Sequence, residues 1–319
     1  MKKTLATLSL LLLLLSCGQR GGKAPTDVTR LFPAVEVPSM LTDETERLDY
    51  ILDHYWDGFF GGDGPTDSGR VLGVRNAEIE KNTGAFIGLL DYIPMPAAQS
   101  KIRHIFSQIE ARQERDTASL VYPLMTEIFA SYLYDPNSPL RSEDYYLPFV
   151  EGMVASRFTS EDRRTGYRFE LEKCRLNPYG TRVPDFSFKD IHERRHSLYD
   201  VQAAYTMLFF SNPGCQSCKE IIDQIGSRSY IDTMISDGTL AIVNIYIDEE
   251  VDKWREYEPV YPRNWYNGYD YKRVINSDEL YFVRAIPSLY LLDSQKRVIY
   301  KDAPVEKVLL YLDKLENNQ

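Results

Sequence analysis

Tyr205-Thr206-Met207-Leu208-Phe209-Phe210-Ser211-Asn212-Pro213-Gly214-Cys215-Gln216-Ser217-Cys218-Lys219 carries an apolar run, a break and the start of a helical pattern. Met207 to Phe210 is a short run of the kind that forms a buried strand. Pro213 and Gly214 interrupt it, and Cys215, Glu220, Ile221, Ile222 and Ile225 then follow helical spacing. Cys215 therefore stands at a helix N-terminus, where unpaired N–H groups and the macrodipole favour negative charge. A thiolate is such a charge, which makes Cys215 the expected nucleophile. Cys218 follows one turn deeper over the same face, at a spacing that a disulfide can close.

A Cys-x-x-Cys pair alone admits a redox dithiol, a permanently oxidised structural bridge or half of a zinc site. Zinc would need His192 and His196, whose His-x-x-x-His spacing suits ligation; both fall in a polar, turn-like stretch on the other side of a core strand. A second signal lies downstream, Val283-Arg284-Ala285-Ile286-Pro287-Ser288-Leu289-Tyr290-Leu291-Leu292-Asp293. A proline heading an apolar run fits the first residue of a strand, where its missing N–H does least harm.

Strand, Cys-x-x-Cys helix, an intervening βα unit, then Ile-Pro, strand, turn, strand and helix is the thioredoxin order. On these two motifs the last 140 or so residues resemble the envelope thioredoxin-like thiol–disulfide oxidoreductases of the TlpA/ResA group. Pro184-Asp185-Phe186 ahead of them resembles the entry segment that this family often uses. The resemblance implies that Pro287 is cis and faces the sulfurs, so that Cys215, Cys218 and Pro287 form the catalytic set. It implies that Ile286 offers backbone hydrogen bonds to a bound substrate, with Gln216 and Ser217 completing the substrate-facing surface. Such dithiol chemistry requires no metal and no organic cofactor.

The N-terminus reads as a processing signal. Lys2 and Lys3 precede the apolar stretch Leu5 to Leu15, and Leu14-Leu15-Ser16-Cys17 resembles a lipoprotein cleavage site. That resemblance implies a signal peptide over 1–16 and lipid on Cys17, the new N-terminus; an ordinary secretory signal is the alternative. The apolar stretch is too short to span a bilayer, whereas several acyl chains anchor stably. Gly18 in place of aspartate after the cysteine points to the outer membrane by the sorting rule of enteric bacteria; that rule leaves the face open, and the periplasmic one is the expectation. The formal charge is −10, and no basic stripe interleaved with aromatics offsets it, which argues against a nucleic-acid partner. Hydrophobic residues make up 43% of the chain, enough for folded domains rather than disorder.

Residues 17–38, rich in glycine and proline without periodicity, read as a lipid-anchored tether whose Leu31, Phe32, Val35 and Val37 can dock on the neighbouring domain. Residues 39–176 read as an all-α domain. Thr42 is the expected first cap, and helices are expected at 76–91, 96–114, 117–134, 142–156 and within 160–183, with Leu120, Leu124, Ile128 and Leu133 on one apolar stripe. Leu48 to Asp57 resembles an uncharacterised helical module found ahead of thioredoxin domains in bacterial lipoproteins. Residues 177–319 read as the α/β thioredoxin-like domain, a central mixed sheet flanked by helices. Its expected parts are a hairpin at 183–199, strands at 204–210 and 240–247, helices at 250–257 and 277–284, a hairpin at 288–301 and a helix from Val305 to Leu315.

Several residues have a plain reading beside a chemical one. Cys174 is expected to be a small core residue rather than a third redox partner. Phe209 occupies the strand position at which thioredoxins bury a proton-relay aspartate, so the relay is absent or supplied elsewhere; Asp248 and Glu249 are candidates for it. The aromatic stretch from Trp254 to Tyr271 is expected to pack on its own protein, with a substrate-docking surface as the alternative. His54 and Trp56 sit on an amphipathic pattern, and His104 has no ligand neighbour at metal spacing.

The function expected from all this is an envelope thiol–disulfide oxidoreductase that reduces protein disulfides through Cys215 and Cys218. Its partners would be protein disulfide or dithiol substrates and an upstream electron-donor dithiol protein. Gln216-Ser217 matches neither the Gly-Pro of thioredoxins nor the Pro-His of strong oxidants, so direction rests on the family resemblance. The alternative is a non-catalytic thioredoxin-fold lipoprotein that binds partners.

Overall fold

One apolar core before Leu176 and three after it, the last a small one, organise residues 29–316, the part of the chain that the computed structural model describes. The leader, Cys17 and the first part of the tether lie outside the described residues.

The first core is helical. Helix α1 (Glu44–His54) starts one residue later than expected, because Asp43 and not Thr42 accepts the Glu46 N–H. A short α2 (Asp57–Gly61) follows, then a two-stranded hairpin, β1 (Arg70–Val71) and β2 (Val74–Arg75). Its turn residues Leu72 and Gly73 have φ of 53° and 77°, the left-handed pair that a two-residue hairpin needs. A leucine in that conformation gives no turn signal, so the hairpin is not legible in sequence. Helices α3 (Asn76–Leu90), α4 (Met95–Arg115), α5 (Val121–Leu133), α6 (Glu143–Ala155) and α7 (Glu161–Cys174) complete the domain.

Trp56, Phe59, Phe86, Phe129 and Phe149 fill the centre, the last two stacked at 4.6 Å. Phe32 from the tether packs edge-on against Trp56 at 5.3 Å, while Leu31 stays exposed. On α5 the buried face is Val121, Met125, Ile128, Phe129 and Leu133; Leu120 precedes the helix and is exposed, a correction to the expected stripe.

The second half is a seven-stranded sheet in the order β4-β3-β7-β6-β5-β8-β9. In chain order it runs β3 (Ser187–Lys189), β4 (Arg195–Ser197), β5 (Tyr205–Phe210), α8 (Gln216–Gly226), α9 (Ser229–Ser236) and β6 (Leu240–Tyr246). Then come α10 (Val251–Tyr257), β7 (Tyr266–Tyr269), α11 (Val274–Ser277), β8 (Ser288–Asp293), β9 (Val298–Tyr300) and α12 (Val305–Glu316). β5, β6 and β7 are parallel, and β8 returns antiparallel along β5. This is the thioredoxin-like sheet that the resemblance implies. Every residue of β6 is buried, as expected of a central strand covered on both faces. Its residues alternate between a core under α8 and α12 (Leu240, Ile242) and one on the opposite side (Ala241, Val243, Ile245).

One expectation needs correcting here. No helix forms over 277–284: α11 ends at Ser277, Glu279 takes φ of 48°, and the chain runs irregularly to β8. The aromatic stretch also holds a strand, β7, that its composition hides. Trp254, Tyr261 and Tyr269 close a small cluster of their own and Trp265 joins the core under α8, so the stretch packs on its own domain.

The two halves meet through buried charge. Glu143 on α6 faces Lys301 Nζ at 2.6 Å and Arg284 Nε at 3.0 Å, and Arg284 also pairs with Asp302 at 3.0 Å. Lys301 further donates to the carbonyls of Lys173, Cys174 and Leu176 at the end of α7. Beside them Asp144, 3% exposed, accepts the Tyr179 N–H at 2.7 Å. Burial pushes its carboxyl from the ordinary 3.8 up to about 6, the Tyr179 hydrogen bond pulling the other way.

The folded state thus holds the Asp144 proton more tightly than the unfolded chain does. Stability is expected to fall as pH rises from about 4 to about 6 and to stay at the lower value above that. Asp144→Asn keeps an acceptor for Tyr179 and should flatten that fall in part, Glu143 being raised by burial too. Urea unfolding of both proteins between pH 4 and 8 measures it; equal slopes would remove Asp144 as the cause.

Candidate active site

β5 delivers its chain into Ser211-Asn212-Pro213-Gly214, and Gly214 turns it with φ of 70°. That is left-handed backbone, which glycine enters at no steric cost. Cys215 then caps α8: its backbone is extended, and its sulfur accepts the Cys218 N–H at 3.1 Å. Its own N–H donates to the Asn212 carbonyl at 3.3 Å. Cys215 and Cys218 are joined as a disulfide, with Cα atoms 5.2 Å apart. The two sulfurs are unequal, since Cys215 is half-buried at the surface whereas Cys218 is 2% exposed inside the core under α8. An incoming partner therefore meets Cys215 first. Gln216 and Ser217 are exposed on the first turn, Gln216 Nε2 donating to Glu220 at 2.9 Å.

The Ile286–Pro287 peptide bond is cis. Ser288 pairs with Phe210 across β8 and β5, which places this bond at the end of β5 from which the cysteine loop leaves. Ile286 is half-buried against the same apolar cluster that holds Cys218, and Cys215 packs against that cluster as well. Cys215, Cys218, Ile286 and Pro287 thus lie at one end of the sheet.

Behind them the relay position is apolar. Phe209 is fully buried, edge-on to Trp265 at 6.5 Å. Its register neighbour on β6 is Asn244, followed on β7 by Asn267. Asn244 accepts the Ser211 hydroxyl at 2.5 Å and donates to Asn267 at 3.1 Å, and the Tyr261 hydroxyl lies 3.4 Å from Ser211 Oγ. A neutral ladder therefore occupies the row in which a relay carboxylate would stand. Sequence reasoning misses these residues; the signal is a lone asparagine inside an apolar central strand. Of the two acids that are candidates for the relay, Asp248 reaches the cysteine loop, accepting Asn212 Nδ2 at 2.6 Å. Glu249 pairs with Arg273 at the surface.

The other candidates lie apart. His196 sits on the edge strand β4, its Nε2 3.1 Å from Asp190, and His192 donates its backbone N–H to the same carboxylate. Against the upward push of burial, hydrogen bonds from His196, Arg194 and the His192 backbone hold Asp190 at about 2. Four strand spacings separate β4 from β5, about 19 Å, so the histidines and the cysteine pair form no common site. Among the described residues, no group of three or more His, Cys, Asp or Glu is placed to hold a metal. Cys174 is buried at the end of α7, where burial pushes its thiol far above the ordinary range. Trp56 belongs to the helical core, and His54 pairs with Asp57 at 2.7 Å.

Residues 16–177 match a family model described as a domain of unknown function (DUF5106). A thioredoxin-like protein from Bacteroides caccae, known as a crystal structure, is 32% identical with a TM-score of 0.73, over 89% of this chain and 99% of that one. The C-terminal domain of an uncharacterized protein from Bacteroides fragilis is 39% identical over 43% of this chain and 99% of its own, with a TM-score of 0.42. A conserved protein of unknown function from Bacteroides fragilis is 34% identical over 42% of this chain and 98% of its own, with a TM-score of 0.41. No curated protein matches the sequence.

Proposed function

From the premise that the chain belongs to the thioredoxin-like proteins carrying a DUF5106 domain in their N-terminal half, we propose that it is a thiol–disulfide oxidoreductase of the cell envelope, anchored by lipid on Cys17. The observation that carries this reading is the unequal pair: a reachable sulfur at the N-cap of α8 over a buried one.

In the reduced protein the Cys215 thiolate attacks one sulfur of a substrate disulfide, forming a mixed disulfide and expelling the other substrate sulfur as a thiolate. Cys218, three residues on and already within bonding reach, attacks Cys215. The substrate leaves as a dithiol and the protein is left oxidised. Two electrons and two protons have moved to the substrate, and an upstream dithiol protein restores them. The N–H groups of the first turn of α8 stabilise the Cys215 thiolate both as nucleophile and as leaving group. Gln216, Ser217 and the Ile286 backbone face the bound substrate, with Pro287 beside the sulfurs. Reduction is the direction that we assign.

The test uses Cys218→Ser, which keeps the first step and loses the second. Expressed in cells, this variant is expected to accumulate mixed disulfides through Cys215, recovered from the detergent-extracted envelope and released by dithiothreitol. Absence of any such adduct, with Cys215 open to alkylation, would leave a partner-binding lipoprotein without turnover.

A further inference from the structure

We propose that the helical domain shapes the substrate surface of the thioredoxin-like domain. Its helices α6 and α7 hold the irregular segment that delivers Ile286 and Pro287, with Arg284 as a positioning residue. The inference rests on the oxidoreductase reading and gives the N-terminal half a part in it.

Asp278 and Glu279 still donate to the Val274 and Asn276 carbonyls, but from Leu280 to the start of β8 at Ser288 the chain has neither helical nor strand hydrogen bonding. Its path must therefore come from side-chain anchors, and these succeed one another almost residue by residue. Glu279 pairs with Lys173 on α7 at 2.8 Å. The Leu280 carbonyl accepts Asn177 Nδ2 at 2.7 Å, just past α7. Phe282 meets Phe169 of α7 edge-on at 6.0 Å. Arg284 lies over the Tyr134 ring at 4.2 Å, donates to the Tyr134 carbonyl and pairs with Glu143 of α6. Within this run the sheet domain and connector bury the Tyr281 ring among Phe186, Phe210 and Tyr290, accept its hydroxyl at the Pro184 carbonyl, pack Leu280 and Val283 and place Asp302 on Arg284.

Only Ala285 separates Arg284 from Ile286. A guanidinium hydrogen-bonded to Asp302 and the Tyr134 carbonyl, charge-paired with Glu143 and laid on a ring face has one geometry, because its planar fork fixes orientation as well as charge. A shift of that fork passes through one residue to the backbone that meets the substrate, where misplacement of about 1 Å is costly. The contacts also explain why the apolar residues of 277–284 do not form a helix: they are drawn to separate anchors.

The full chain tests this with Arg284→Lys, which keeps the charge and loses the fork, and Phe169→Ala, which removes a half-exposed ring from α7. Hydrogen exchange of the hydrogen-bonded amides that flank the segment, Asp278, Glu279 and those opening β8, is expected to quicken about tenfold in each, while α8 exchanges as before. In dithiol-driven insulin reduction KM is expected to rise about threefold to tenfold, with kcat and the alkylation rate of reduced Cys215 unchanged. Unchanged exchange in both variants overturns the inference, and so does faster exchange without a change in KM. Should Arg284→Lys fail to fold, Phe169→Ala decides alone. If the parent protein does not reduce insulin, the oxidoreductase reading falls by itself and the exchange experiment judges the anchoring.

Discussion

Cys215→Ser is expected to lower dithiol-driven insulin reduction by roughly three orders of magnitude or more. A serine hydroxyl does not attack a disulfide and forms no mixed disulfide, so the first bond of the cycle is never made. Cys218 cannot take over the role, because it is 2% exposed and sealed under α8. Loss of the fold is not a competing explanation. Cys215 is the N-cap of α8, and serine is among the strongest capping residues; the variant should keep its helix and melt like the reduced parent, which also lacks the cross-link. Circular dichroism alongside the turnover assay makes the distinction. Retention of more than about a tenth of the parent rate by a correctly folded variant would end the assignment of Cys215 as nucleophile.

Glu143→Ala is expected to destabilise the protein by about 3–5 kcal/mol. Glu143 is 1% exposed and lies within 3.0 Å of Lys301 and Arg284, which are themselves buried. Removing it strands two cations whose hydration was given up on folding. Lys301 retains three carbonyls and Arg284 retains Asp302, which keeps the loss from growing larger. Since the carboxylate belongs to one half and its partners to the other, both halves should unfold earlier. Guanidinium titration at pH 7.5, followed by the fluorescence of Trp56 in one half and of Trp254 and Trp265 in the other, measures this. A loss under about 1 kcal/mol would mean that water reaches the cations.

What could be read from sequence was what is encoded locally. Cys215-x-x-Cys218 and Ile286-Pro287 are short motifs, and β5, β6 and β8 are continuous apolar runs whose burial needs no knowledge of their neighbours. What escaped depends on contacts between distant residues. Tyr266-Asn267-Gly268-Tyr269 has no strand pattern of its own and becomes β7 by pairing with Val243 to Tyr246. Leu280, Tyr281 and Val283 have helical spacing, yet the carbonyl of the first goes to Asn177 while the side chains of the other two enter the core. The neutral row behind Phe209 appears only once β6 and β7 are in register, because Ser211, Asn244 and Asn267 are far apart in the chain.

The Lys301 ammonium, seated among the last carbonyls of α7, has a practical consequence for anyone dissecting the molecule. Helices finish on unpaired carbonyls that need donors, and here the donor arrives from the residue just after β9, more than a hundred residues later. Truncation at residue 177 would unmask a frayed helical stump on one fragment and a dehydrated amine on the other, so each piece alone should be less soluble than the intact chain.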